Sequence, residues 1–187
     1  MIITDIADID MDKLARLAEE TGFSHSAAID MDSLVFRPEV REMCSADKCH
    51  SYGKSWSCPP AVGSLERITE RAANYKGGII VQTTGALEND FDMESIRKIM
   101  IRHKRNFSSL VRQVRQIAAD CLPMGAGTCY VCRQCSYPDS PCRHPDRMFP
   151  SMEAYGLLVS DVCLKSGLQY NYGKNTMTYT SCILINL

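Results

Sequence analysis

The sequence has no apolar run approaching the roughly 20 residues that a membrane-spanning helix needs. Stretches such as Ile79–Val81 and Ile183–Ile185 are strand-sized. A basic segment ahead of an apolar one is also missing, because the opening MIITDIADIDMDK carries four aspartates. No secretory signal is therefore expected, and the expected compartment is the cytoplasm. There is no internal repeat and no low-complexity segment. The 187 residues, 45% of them apolar and 23% charged, suit one compact unit with a real core, so residues 1–187 are read as a single domain. Ten cysteines fall short of the density of small disulfide scaffolds. In a reducing compartment, clustered thiols more often mean metal or redox chemistry than disulfides.

Net charge is only −1, yet it is unevenly spread. Residues 1–43 hold ten acids against four bases, and Ser95–Ala119 holds seven bases and no acid. Such a basic stretch invites a search for an anionic partner.

Periodicity gives a mixed fold. Leu14, Leu17 and Ala18 lie at helical spacing in a short helix from Asp10 to Thr21, closed by Gly22. Ser26–Met31 is weakly strand-like. Ser64 is an N-cap for a helix with Leu65, Ile68 and Ala72 on one face. After Gly77-Gly78, the run Ile79–Thr84 is β-branched and bounded by glycines, the strongest strand signal in the chain. From Asp92 to Asp120, Ile96, Ile99, Met100, Phe107, Leu110, Val111, Val114 and Ile117 recur at three- and four-residue steps, which predicts one long amphipathic helix. A further helix is expected over Ser151–Lys165, and a hairpin joining Leu168–Tyr172 to Thr178–Leu187. The expected class is α+β: a small, mainly antiparallel sheet containing Ile79–Thr84 and Thr178–Leu187, helices on one face, and two cysteine-rich metal-binding loops at one end.

The sharpest signal is Cys129-x2-Cys132-x2-Cys135-x6-Cys142. Thiolates at successive two-residue steps can wrap the irons of one cubane, and the first three spacings match the bacterial ferredoxin run. The fourth cysteine comes later than in that run, so spacing alone does not say whether Cys142 closes the same cluster. The competing reading is a structural zinc on the same four thiolates, although zinc sites usually present two separated pairs. A second group, Cys44-x4-Cys49-x8-Cys58-Pro59-Pro60, offers three thiolates in a polar loop. Its fourth ligand could be Cys163, Cys182, His50 or an exogenous molecule. Cys121, Cys163 and Cys182 fall on apolar faces and are read as core residues, and His103, in phase with the long helix's apolar stripe, as a satisfied buried residue. His144 adjoins the second loop and is a candidate donor to cluster sulfur.

The segments CSADKCHSYGKSWSCPP, GGIIVQT and CYVCRQCSYPDSPCRHP, followed by PSMEAYG, resemble the bacterial and archaeal family of predicted metal-binding proteins known as domain of unknown function 2284. The resemblance runs from about Ala27 to the C-terminus. It implies metal binding by Cys44, Cys49, Cys58, Cys129, Cys132, Cys135 and Cys142, and no particular reaction. The leading expectation is a redox protein with one or two iron–sulfur (4Fe-4S) clusters, passing electrons to an unknown redox partner protein or small molecule. The alternatives are an enzyme with an open-site cluster lined by Lys48, His50, Lys54 and Trp56, or a zinc-binding structural or interaction module. No membrane partner is expected, and nucleic acid binding through the basic helix is the weakest of these readings, since a solvated basic face explains the same pattern.

Overall fold

The structure is a computed structural model that describes residues 11–186. In chain order its main elements are α1 (Met11–Thr21), β1 (His25–Ala28), α2 (Pro38–Met43), α3 (Leu65–Ala72), β2 (Gly77–Ala86), α4 (Met93–Ile117), β3 (Cys121–Met124), α5 (Val159–Lys165) and β4 (Thr176–Ile185). Asp5, Asp8, Asp10 and Leu187, which entered the reading of the sequence, lie outside the described residues.

The β-branched run after Gly77-Gly78 forms a central strand. β2 pairs antiparallel with β4 over ten residues, from Gly77 opposite Ile185 to Ala86 opposite Thr176. β1 and β3 flank this pair in the order β1-β2-β4-β3, and every pairing is antiparallel. Successive side chains on a strand alternate between faces. Ile79, Val81, Ile183 and Ile185 therefore meet Leu14 and Ala18 of α1 and Phe107, Leu110, Val111 and Val114 of α4. Ile80, Cys182 and Leu184 meet Ile68 and Ala72 of α3 and Val162 and Cys163 of α5 on the opposite side. Each such buried aliphatic side chain contributes about 1.5–3 kcal/mol. The α+β class and the antiparallel sheet stand, with helices on both faces rather than one. Two-sided burial is why β2 and β4 read as continuous apolar runs rather than alternating ones.

α4 starts as its sequence requires, with the Asp92 carboxylate accepting from Ser95 N. His103 is 1% exposed. Its ring sits between the hydroxyls of Thr83 (2.9 Å) and Ser181 (2.8 Å). Burial, with a smaller push from Lys104, lowers its pKa to about 3, so it is a neutral core residue.

Three expected elements take another form. The helix expected over Ser151–Lys165 shortens to α5. Residues 151–156 instead form a turn in which Ser151 Oγ accepts from Ala154 N, and Gly156 adopts φ +91. A Cβ on Gly156 would come within 2.9 Å of Arg37 O, so only glycine permits this approach. Leu168–Tyr172 is not a strand and the expected hairpin is absent. Tyr172 stacks on His25 (4.1 Å) and donates to Gln82 Oε1, while β4 finds its partners in β2 and β3. The long helix ends at Ile117, and Cys121 opens β3, whose Pro123 is tolerated because β3 is an edge strand. Among the described residues, no helix is long and apolar enough to cross a membrane.

Candidate metal centre

The two cysteine segments leave the fold at points held by one turn. The first follows α2, whose approach is fixed by Arg37 N donating to Gly156 O (2.8 Å) and by the Phe36–Leu157 bridge. The second follows β3, where Gly125 N donates to Pro150 O (2.7 Å) and Met152 N to Gly125 O (3.1 Å). The turn at residues 151–156, which belongs to the PSMEAYG run, therefore grips the root of both.

Within the first segment, Cys44 caps α2 and a short 3-10 turn ends at Asp47 in the left-handed conformation. The Asp47 carboxylate then accepts from Tyr52 N (2.9 Å) and Lys54 Nζ (3.2 Å), tying the loop to itself. Ser57 and Cys58 are buried where this loop meets the second. Ser57 Oγ accepts from Cys129 N (3.1 Å), Cys58 Sγ lies 3.6 Å from Thr128 Oγ1, and Trp56 Nε1 donates to Ser140 O (3.0 Å). The indole also meets Tyr137 edge to face at 4.9 Å. These contacts hold the two loops against one another.

Between them lies a cavity of about 280 Å³ whose walls include Cys49, Cys129, Cys132, Cys135 and Cys142. His50 and His144 also reach it. Burial pushes the Cys135 thiol up, but the N–H groups of Trp56, Tyr137 and Ser136 and the Ser55 hydroxyl outweigh it, and Cys135 titrates below an ordinary thiol. N–H donors aimed at a sulfur favour the thiolate, the form that binds metal. Burial raises Cys129, opposed by the Val131 N–H and by Lys104. Cys44 is raised by burial and by the nearby Glu153, Cys49 and Cys58, so the first three thiols are neighbours as well.

The structure thus gathers five of the seven expected ligands around one cavity and sets Cys44 and Cys58 beside it. Among the described residues, no three or more His, Cys, Asp or Glu side chains are already arranged around a single ion. The thiols stand apart around the cavity, and their chemistry and the N–H donors behind them suit a thiolate-bound metal group. Cys163 and Cys182 cannot supply a fourth ligand to the first group. Both are fully buried against the sheet, and Gln82 Nε2 lies 3.4 Å from Cys163 Sγ.

Lys104 belongs to the basic stretch of the long helix, yet its charge acts on a thiol from each group, Cys129 and Cys58. Its ammonium donates to Ala126 O (2.7 Å) and Thr128 O (2.6 Å) and lies 4.9 Å from the centre of the Tyr130 ring. The signal was its phase: Lys104 falls four residues after Met100 and three before Phe107, inside the apolar stripe. Ser55 and Ser57 carried no sequence signal, since serines in a polar loop are unremarkable.

Burial pushes the thiols of Cys121, Cys163 and Cys182 up. Iodoacetamide treatment of native, metal-stripped protein is therefore expected to label Cys49, Cys132, Cys135 and Cys142 and to leave those three unmodified. Peptide mass spectrometry reads the pattern. Labelling of Cys182 at the rate of Cys49 would contradict the fold.

An antiparallel α+β framework that holds two thiol-rich loops face to face defines a candidate metal-binding protein. The chain belongs to the family described as predicted metal-binding protein (DUF2284), which matches residues 27–185. No curated protein and no solved structure matches it.

Proposed function

We propose that this is a cytoplasmic redox protein in which Cys129, Cys132, Cys135 and Cys142 hold a 4Fe-4S cluster and Cys44, Cys49 and Cys58 serve a second centre beside it. The observation that carries the reading is the cavity of about 280 Å³ ringed by five cysteines. A structural zinc draws four thiolates to about 2.3 Å from one point. Five thiols on one cavity, three of them at two-residue steps, suit a polynuclear group in which each iron takes one sulfur.

When bound, such clusters supply single electrons. The protein's own contribution is electrostatic and geometric. Backbone N–H groups and the Ser55 hydroxyl stabilise negative charge at Cys135. Lys104 does the same near Cys129 and Cys58, and Arg133, Arg143 and His144 bring further donors to the cavity wall. Positive groups and N–H donors around a cluster favour the reduced state and raise its potential. His50 and Lys54, which also line the cavity, favour a second reading in which the three-thiolate centre leaves one iron open to a small anionic substrate.

The test is an iron, sulfide and zinc assay on protein purified without oxygen. Brown protein with equal iron and acid-labile sulfide is expected. Colourless protein with stoichiometric zinc and no iron would sink the proposal.

A further inference from the structure

A groove of about 1710 Å³ runs beside α4 and reaches the second cysteine loop, with Cys129 and Tyr130 among its walls. The bases along this helix are not equivalent. Arg102 donates to Thr84 O, Lys104 to the carbonyls of Ala126 and Thr128, and Arg115 to Asp146 O. Arg97, Arg105 and Arg112 also line the groove, and among the described residues none of them enters an ion pair.

These three arginines recur at steps of eight and seven residues, so they form one stripe. Ile101, 52% exposed, lies midway between Arg97 and Arg105, and Tyr130, 62% exposed, stands where the groove meets the loop. Arg147 adds another base, and Glu20 and Asp146 are the acids on the walls.

Exposed apolar side chains rimmed by unpaired cations have the anatomy of a protein-docking surface. Single-stranded nucleic acid would be drawn by the same charge, but it is usually held by successive exposed aromatic platforms; of the rings on these walls Tyr130 stands open, while Phe149 is half-buried under Arg115 and Phe107 is buried. An acidic protein meets both features, and its approach along a basic groove is electrostatically steered.

We infer that the groove along α4 is the docking surface for an acidic one-electron carrier protein, which it seats against Tyr130 and Cys129 at the edge of the thiol-lined cavity. The inference rests on the redox reading above. In the exchange the carrier gives up one electron, the metal centre accepts it, and no bond forms or breaks.

The test mixes metal-loaded protein with reduced plant-type ferredoxin, a small acidic carrier, in an anaerobic stopped-flow instrument. The variant Arg105→Glu/Arg112→Glu changes two exposed side chains outside the cavity. Its bimolecular rate at low salt is expected to fall by about tenfold or more, and salt should slow the parent but hardly affect the variant. Reduction by dithionite, which needs no docking, should be the same in both and shows that the variant is folded and loaded. Equal rates with ferredoxin in parent and variant would overturn the inference. So would displacement of ferredoxin from the parent by a single-stranded oligonucleotide at physiological salt, which would assign the groove to nucleic acid. Failure of dithionite to reduce the loaded parent would instead overturn the redox reading itself, and the carrier with it.

Discussion

Cys132→Ala, prepared without oxygen, is expected to lose the metal of the Cys129–Cys142 loop and to retain about half of the parent's iron in the other centre, because a missing thiolate removes binding energy that is also folding energy. Between Gly127 and Pro150 the only regular element is the short 3-10 turn Pro145–Arg147, and the stretch is otherwise held by a few side-chain contacts such as those of Ser57, Trp56 and Lys104, so the metal is expected to add much of its order. Proteolysis should then cut it much faster than in the parent. Cys58→Ala is expected to keep the second loop loaded and lose the first centre. Cys49 shares its cavity with the second group, so a different result is informative. Loss of all iron in either variant, with the fold intact by circular dichroism, would mean one shared centre. Full iron in Cys58→Ala would reduce the first group to ordinary thiols.

Lys104→Met is expected to lower the reduction potential of the loaded protein by on the order of 60 mV, a tenfold change for a one-electron couple. Burial pulls the Lys104 pKa down while Cys129, Cys58 and Glu153 push it back, so its charge acts on a thiol from each group. Methionine fills much of the same volume but leaves the carbonyls of Ala126 and Thr128 without their donor. That should cost about 1–3 kcal/mol in the metal-free protein as well. Lys104→Arg restores the charge and should recover the potential more fully than the stability, because a planar fork will not reproduce both short contacts. A potential unchanged in Lys104→Met would show that the ammonium only braces the loop.

Where one force dominated, the sequence was readable. The period of α4 and the runs that became β2 and β4 follow from burial, which is written in neighbouring residues. The illegible parts depend on distant partners. The segment from Ser151 to Lys165 carries a helical pattern, yet Ser151–Gly156 turns because Gly156 must lie against Arg37, more than a hundred positions earlier. β3 is too short and proline-bearing to announce itself, and exists only because β4 offers an open edge. At the candidate site the cysteine spacing named the seven thiols. That Cys49 faces the same cavity as Cys132 and Cys142 depends on the Ser57, Thr128 and Trp56 contacts between loops, which no local pattern encodes.

The strand order also sets a timetable. β4 lies between β2 and β3 and follows both cysteine segments in the chain. A polypeptide emerging from the ribosome N-terminus first exposes all seven loop thiols before the strand that completes their support has been made. Cofactor loading therefore belongs after translation of β4. Until then the nascent chain carries reactive sulfurs on an unfinished scaffold, which makes early oxidation or capture of the wrong metal the hazard its biogenesis has to avoid.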